Sequence, residues 1–431
     1  MTIGDWLYLT GAVIVLTASL SAVALAAFGW EDPQLRRQLS FQISADSLTT
    51  LPTMAVLIPA RHEETVLGAT LERLARQPYD ALRIIAIVGH DDQATHAVAE
   101  RAASAHPDRI EVVVDHHWPK SKPAALITGM EAAGSAELIA IVDAEDDVAE
   151  GFFALAAAEF AMRPGLDVLQ GGVLLVNLSS SWFATRSAVE YYLWYSSRLP
   201  WQARHGVVPL GGNTCVFRSH TLHEVGLWDP NALTEDADMG IRLATCGAQI
   251  AVRFEEALAT QEETPLSLRA FVRQRTRWDQ GFIQVLRKGS WRKLPWRRRA
   301  LALFTLAAPF QQALTGVLIP VAMLAWGLTR RLPVDLVLFA FLSLFAELGA
   351  LSFEVIAAAR LRRLRGERPR IRDALSLVLG LIPYQLVLVT ALLVALVREL
   401  RGERGWAKTE HVGAHRRLST PDEVLSEQQV A

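Results

Sequence analysis

Residues Leu138–Asp147 read LIAIVDAEDD. Five apolar residues run straight into a cluster of carboxylates, with no alternation that would leave one face wet. A short continuous run of this kind fits a strand covered on both faces, the usual state of strands in a parallel sheet flanked by helices. Three similar runs lie upstream: Met54–Ile58 ended by Pro59, Arg83–Val88 followed by Gly89, and Ile110–Val114. Helix-like patterns at Glu64–Arg76, Ala94–Ala105 and Pro123–Ala133 separate them. Strands alternating with helices predict an α/β unit.

In such sheets ligands bind beyond the carboxyl ends of the strands. The polar residues there are Arg61, Glu63 and Glu64, then Asp91 and Asp92, then Asp143–Asp147. No GxGxxG or GxxxxGK[ST] follows a strand, which argues against dinucleotide oxidoreductases and P-loop NTPases.

The chain has 431 residues, 51% of them apolar and 20% charged, with a net charge of −2. Mean hydropathy is +0.22. This excludes disorder, argues against a wholly soluble protein, and gives no basic field for nucleic acid. Cys215 and Cys246 make neither a disulfide framework nor a zinc motif.

The excess hydrophobicity flanks the α/β stretch. Trp6–Phe28 is uncharged and long enough for a membrane helix, which needs roughly 20 apolar residues. A cleaved signal peptide is the competing reading, with Ala24 and Ala26 suited to a protease. The preceding residues hold Asp5 and no Lys or Arg, which favours an uncleaved anchor over residues 1–30.

Three further apolar stretches follow, Ala300–Leu328, Val334–Ala359 and Ala374–Val397. Pro309, Gln311 and Gln312 suggest an interfacial start to the first, and Pro383 a break in the last. The basic segments Arg292–Arg299 and Arg360–Arg372 place the α/β unit on the cytoplasmic side of the plasma membrane. The expected organisation is therefore an anchor at 1–30, the α/β unit at 52–290, an interfacial helix with about three crossings at 291–400, and a polar tail at 401–431. Glu347 and Glu354 share a helix face inside one stretch, facing either a protein interior or the interface.

Four motifs carry chemistry. DAEDD offers oxygen ligands for a hard divalent cation, or simply a helix cap. Thr234–Glu235–Asp236 opens a helix; it is either an N-cap or the seat of a general base. Gln274–Arg275–Thr276–Arg277–Trp278 joins planar cations to a large aromatic, suited to pyrophosphate and sugar or to a membrane surface. PLGGNTCVFR, Pro209–Arg218, places Gly211, Gly212 and Asn213 before another short apolar run.

Taken in order, IPARHEE (Ile58–Glu64), SKPAAL (Ser121–Leu126), DAEDD, TED and QRTRW resemble the inverting nucleotide-sugar glycosyltransferases of GT-A fold. More narrowly, they resemble the membrane-integrated family 2 group that includes cellulose, hyaluronan and chitin-oligosaccharide synthases. The likeness covers residues 52–290, and WAKTEH (Trp406–His411) also fits it.

The resemblance implies a Rossmann-like, mostly parallel sheet with residue roles in order. Pro59, Ala60, Arg61, Glu63 and Asp92 fall at the nucleoside, and Lys122 near the diphosphate. Asp143 and Glu145 fill the metal motif for Mg2+ or Mn2+, with Asp143 also meeting substrate and Asp146 an alternative ligand. Asp236 matches the catalytic base and Glu235 its neighbour. Gly212 and Asn213 line the acceptor side, and Gln274, Arg275, Arg277 and Trp278 form the clamp.

Two departures stand out: Gly89 and His90 occupy the place of the family's aspartate pair, and Glu145 replaces an aspartate. The implied partners are a nucleotide-sugar donor, by the resemblance a UDP-sugar, a polysaccharide or lipid acceptor, membrane lipids and accessory secretion subunits, with no nucleic acid. QRTRW favours polymer synthesis. Single-sugar transfer to a lipid and a silent assembly scaffold are the alternatives.

Overall fold

The computed structural model describes residues 3–31, 51–329 and 334–403. The tail beyond residue 403, with WAKTEH, lies outside the described residues. Helix α1 (Ile3–Glu31) precedes an alternating series: β1 (Met54–Ala60), α2 (Leu67–Ala75), β2 (Leu82–Gly89), α3 (Gln93–Ala105), β3 (Ile110–Asp115), α4 (Lys122–Ala133), β4 (Leu138–Ile141) and α5 (Phe152–Met162). All four expected strands form, and β1–β4 run parallel in the order β3-β2-β1-β4.

The apolar runs are continuous because both faces are covered. Leu57, Ile85, Ile139 and Ile141 pack on one side with Leu126 and Met130 of α4. Val56, Ile58, Ile84 and Ala140 pack on the other with Leu71 of α2 and Phe153 and Phe160 of α5.

The second half is more irregular. It comprises β5 (Val168–Gly171), β6 (Val173–Leu175), α6 (Ala184–Leu193), a π-helical turn (Trp194–Arg198), α7 (Leu199–Arg204), β7 (Cys215–Arg218), α8 (Ser219–Glu224), α9 (Glu235–Cys246), β8 (Ile250–Arg253), β9 (Thr260–Glu262) and α10 (Leu268–Lys288). Strand β7 enters antiparallel between β4 and β5, and β8 closes the seven-stranded sheet. Strands β6 and β9 form a small parallel pair above the carboxyl ends. The architecture is a mostly parallel, Rossmann-like GT-A fold.

The remaining helices are α11 (Trp296–Leu306), α12 (Ala308–Thr329), α13 (Val334–Leu364), α14 (Ile371–Leu379) and α15 (Leu381–Leu400). Among the described residues, Leu9–Phe28, Phe341–Leu364 and Leu381–Leu400 are long and apolar enough to cross a membrane. The stretch expected from Ala300 is two helices, α11 and α12, meeting at a 54° bend.

The last stretch breaks at Gly380 rather than at Pro383. Pro383 sits in the first turn of α15, where the backbone N–H has no intrahelical partner to lose. Both intrahelical glutamates face protein. Ser19 donates to Glu347 at 2.6 Å, and Arg186 pairs with Glu354 at 2.7 Å.

Candidate active site

The cleft lies at the carboxyl ends of β1, β2 and β4, as a doubly covered sheet predicts. Its volume is about 160 Å³, and its walls include Pro59, Ala60, Arg61, Glu63, Lys122, Asp143, Glu145, Gly212, Asn213, Glu235, Asp236, Gln274, Arg277 and Trp278. Fourteen of the residues singled out in the sequence thus converge from segments far apart in the chain.

Asp92 does not join them. It is the N-cap of α3, accepting from Thr95 N at 3.2 Å and from the backbone N–H of His62. Burial would raise its carboxyl, but these bonds outweigh it and hold it below the usual carboxylate range. A carboxylate so occupied ties the β1 loop to α3 and is turned away from the cleft. Asp91 pairs with Arg61 at 2.9 Å.

The base of the cleft is instead formed by Gly89, Asp115 and Lys120. Lys120 Nζ lies 3.1 Å from Asp115 Oδ2, and both side chains are buried. Burial opposes the Asp115 charge, but the bonds from His117 and Lys120 prevail and keep this acid low.

Past β4 the carboxylates crowd together. Lys122 Nζ reaches Asp143 at 2.5 Å, Glu235 at 3.4 Å and the carbonyl of Gly212 at 2.8 Å. Burial works against its charge, yet Asp143 and Glu235 hold the ammonium well above its ordinary value. Asp146 stands behind the cleft wall. It accepts from Asp143 N at 2.7 Å and from Asn213 Nδ2 at 3.1 Å, and Asn213 also donates to Glu262. Burial, then the charges of Glu145 and Asp143, push Glu262 up to about 8. Burial likewise raises Asp143 and Asp146, with neighbouring carboxylates adding to it.

Among the described residues no three or more His, Cys, Asp or Glu side chains are grouped to hold an ion alone. The donor set at the cleft nevertheless fits a hard divalent cation. Asp143 and Glu145 offer oxygen only, the neighbouring carboxylates are destabilised by one another, and Mg2+-type ions fill their remaining positions with phosphate and water.

Asp236 sits in the first turn of α9, whose N-terminus favours negative charge. Thr234 occupies the N-cap position but makes no side-chain cap, and its buried hydroxyl has no partner among the described residues. Burial and then the adjacent Glu235 push Asp236 up to about 7. Gly212, at φ 81°, faces it; a Cβ there would lie 3.0 Å from Asp236 Oδ2. The chain can pass this close to the acid only with a glycine.

On α10, Gln274, Arg277 and Trp278 share the face toward the cleft, as i, i+3 and i+4 spacing requires. Arg275 does not. One residue on, it is rotated by about 100° and pairs with Glu190 at 2.5 Å and with the Tyr384 hydroxyl at 3.1 Å. Its guanidinium lies 4.7 Å from the Trp278 ring. Arg275, expected at the substrate with the rest of the clamp, pins α10 to α6 and α15 and lines a second cavity rather than this cleft.

That second cavity, of about 330 Å³, is bounded by α1, the π-helical turn, α10, α12 and α15. Tyr191, Gly211, Thr234, Asp236 and Trp278 line both spaces, so Asp236 stands where the two meet. Sequence reasoning missed Glu262, Asp115 and Lys120. The acidic TQEE, whose first three residues are the short polar strand β9, and DHHWPK at the end of β3 were their only signals.

A family model described as glycosyltransferase like family 2 matches residues 52–281. The chain is 27% identical over 259 residues to the probable glycosyltransferase YdaM of Bacillus subtilis, covering 56% of this chain and 58% of that protein. It is 24% identical to the beta-monoglucosyldiacylglycerol synthase of Nostoc sp., covering 54% and 50%. It is 23% identical to the poly-beta-1,6-N-acetyl-D-glucosamine synthase of Staphylococcus epidermidis, covering 63% and 64%. The chain thus spans between half and two thirds of these relatives. Among solved structures it resembles the mannosyltransferase PcManGT of Pyrobaculum calidifontis, in complex with GDP-Man and Mn2+. The TM-score is 0.58 and the identity 18%, over 91% of this chain and 99% of that one.

Proposed function

The chain belongs to glycosyltransferase-like family 2, and from that premise we propose that it is a membrane-bound, inverting enzyme that moves a sugar from a nucleotide-sugar, a UDP-sugar in the first instance, to an acceptor hydroxyl. Residues 52–290 form the catalytic unit on the cytoplasmic side of the plasma membrane, and the flanking apolar helices hold it there. The acceptor is a growing polysaccharide or a lipid, and relatives of both kinds support this range.

The observation that carries the reading is the position of Asp236 at the junction of the donor cleft and the second cavity. A base there removes the proton from an acceptor hydroxyl entering from the second cavity as that oxygen attacks the anomeric carbon from the face opposite the nucleotide. The bond to the departing phosphate oxygen breaks in the same step, which inverts the anomeric centre. Lys122 and Arg277 lie where charge grows on the leaving diphosphate and stabilise it there. Gly89, Asp115 and Lys120 close the nucleoside end, in place of Asp92. Asp143 and Glu145 would hold Mg2+ or Mn2+, which supplies electrostatic neutralisation of the diphosphate when bound.

The test is nucleoside-diphosphate release by detergent-purified protein over a panel of UDP- and GDP-sugars, with Mg2+, Mn2+ or EDTA. Release from one donor, lost with EDTA and in Asp236→Asn, is the expected result. Turnover near wild type in a well-folded Asp236→Asn protein would remove the base assignment.

A further inference from the structure

We infer that the acceptor is an anionic membrane lipid whose headgroup hydroxyl meets Asp236 and whose phosphate is held by Arg198. This rests on the glycosyltransferase reading and narrows its acceptor.

The first ground is the wall of the second cavity. The helices contribute Ala22 and Leu25 of α1, Pro309 and Gln312 of α12 and Leu388 of α15 to it. All of these except Gln312 have apolar side chains. A sugar chain laid against the apolar part of that wall would leave hydroxyls without partners, each costing about 1–3 kcal/mol on mutational scales. An alkyl chain gains from the same surface. The helices that supply this wall include two of the candidate membrane spans, so a lipid would enter sideways from the leaflet they cross.

The second ground is Arg198, the last residue of the π-helical turn, which also lines the cavity. Its guanidinium lies 5.0 Å from the Trp194 ring and 5.9 Å from Phe304, contacts that fix the plane and leave N–H groups on its edge. Among the described residues its Nε is buried with no hydrogen-bond partner. Among the described residues no carboxylate pairs with it, and burial alone draws it down to about 10.

The cavity's other cation, Arg275, is already bonded to Glu190, and Asp279 also feels its charge. Arg198 is therefore the cation left for an incoming anion, and a guanidinium edge matches phosphate oxygens. Ser197 donates to the carbonyl of Leu25, which ties this turn to α1 beside the cavity mouth.

The experiment uses the full chain in phosphatidylcholine vesicles with a radiolabelled donor. One set carries phosphatidylglycerol, one carries diacylglycerol, and one has soluble cello-oligosaccharides added. The expected result is label in the organic phase with phosphatidylglycerol, well above the diacylglycerol set. Arg198→Gln should raise the KM for phosphatidylglycerol about tenfold or more, the loss of a charge-assisted bond, with Arg198→Lys between the two.

If Arg198→Gln fails to fold, retention of phosphatidylglycerol over phosphatidylcholine by the wild-type protein, read by native mass spectrometry, decides the matter. Label confined to oligosaccharide, equal transfer to diacylglycerol, or no preferential retention would overturn the inference while nucleotide release continued. Absence of nucleotide release with every donor would instead overturn the enzyme reading itself.

Discussion

Asp236 is held at about 7 by burial and by Glu235, and a base works only in its ionised form. Below that value kcat/KM should climb about tenfold per pH unit and level off above it, because this ratio reports the free enzyme. Asp236→Asn should cost about 10²–10⁴ in rate and abolish the rise; a pH–rate profile of both proteins checks this. Asn213 makes a different prediction. Its amide donates to Asp146 and Glu262 at once, so Asn213→Ala leaves two buried acids without their shared donor. A loss of about 1–3 kcal/mol is expected, read by denaturant melts. Asp143, Glu145 and Asp236 were legible in the sequence because strand ends and helix starts gather acids in short runs. Glu262 was not, since it reaches the same cleft from a three-residue strand. Asp92 and Arg275 do not line the donor cleft, for a local reason: capping claims the first, and one helical step of rotation turns the second toward the neighbouring cavity.

Helix α9 depends on how closely it approaches the segment before β7. A Cβ on Gly240 would lie 2.0 Å from the carbonyl oxygen of Val208 and 3.0 Å from Pro209 Cα, both backbone atoms. Neither can move aside as a side chain would. Gly240→Ala should therefore cost at least the 1–3 kcal/mol or so of an overpacked core, despite alanine's better helix propensity. It should also shift Asp236, at the start of the same helix, so donor turnover falls along with the melting temperature. A variant as stable and as active as wild type would show that α9 has slack. Strands β1–β4 were readable because both faces are buried and the runs are unbroken. Strand β7 was not readable as antiparallel: CVFR has the same composition either way, and its direction is set by the helical excursion from α6 to α7. The π-helical turn likewise has no composition of its own.

The apolar helices were visible as segments, but their partners were not, because hydropathy fixes length and says nothing of which face meets which. In the folded chain the main core runs on from Leu57 and Ile139 of the sheet to Leu351, Ala357, Leu361 and Leu377 of α13 and α14. Charge follows the same route. Arg186 of α6 pairs with Glu354 of α13, and Arg275 reaches Tyr384 of α15. Arg362 of α13 donates to Ser179 at 2.6 Å as well as pairing with Asp373. The sheet unit and the helices therefore share one core. A fragment of residues 52–290 would expose the α6 face and strand Arg186 without its carboxylate, and breaking a buried pair from one side costs about 3–5 kcal/mol. That is a large part of the roughly 5–15 kcal/mol by which domains are stable. The fragment should accordingly show weak near-UV circular dichroism and a broad melt, whereas the full chain in detergent unfolds sharply. A sharp melt of the fragment would mean that the helices merely tether a self-sufficient unit. The cavity between them would then be a seam between two bodies, and its shape would no longer be set by the core that encloses Asp236.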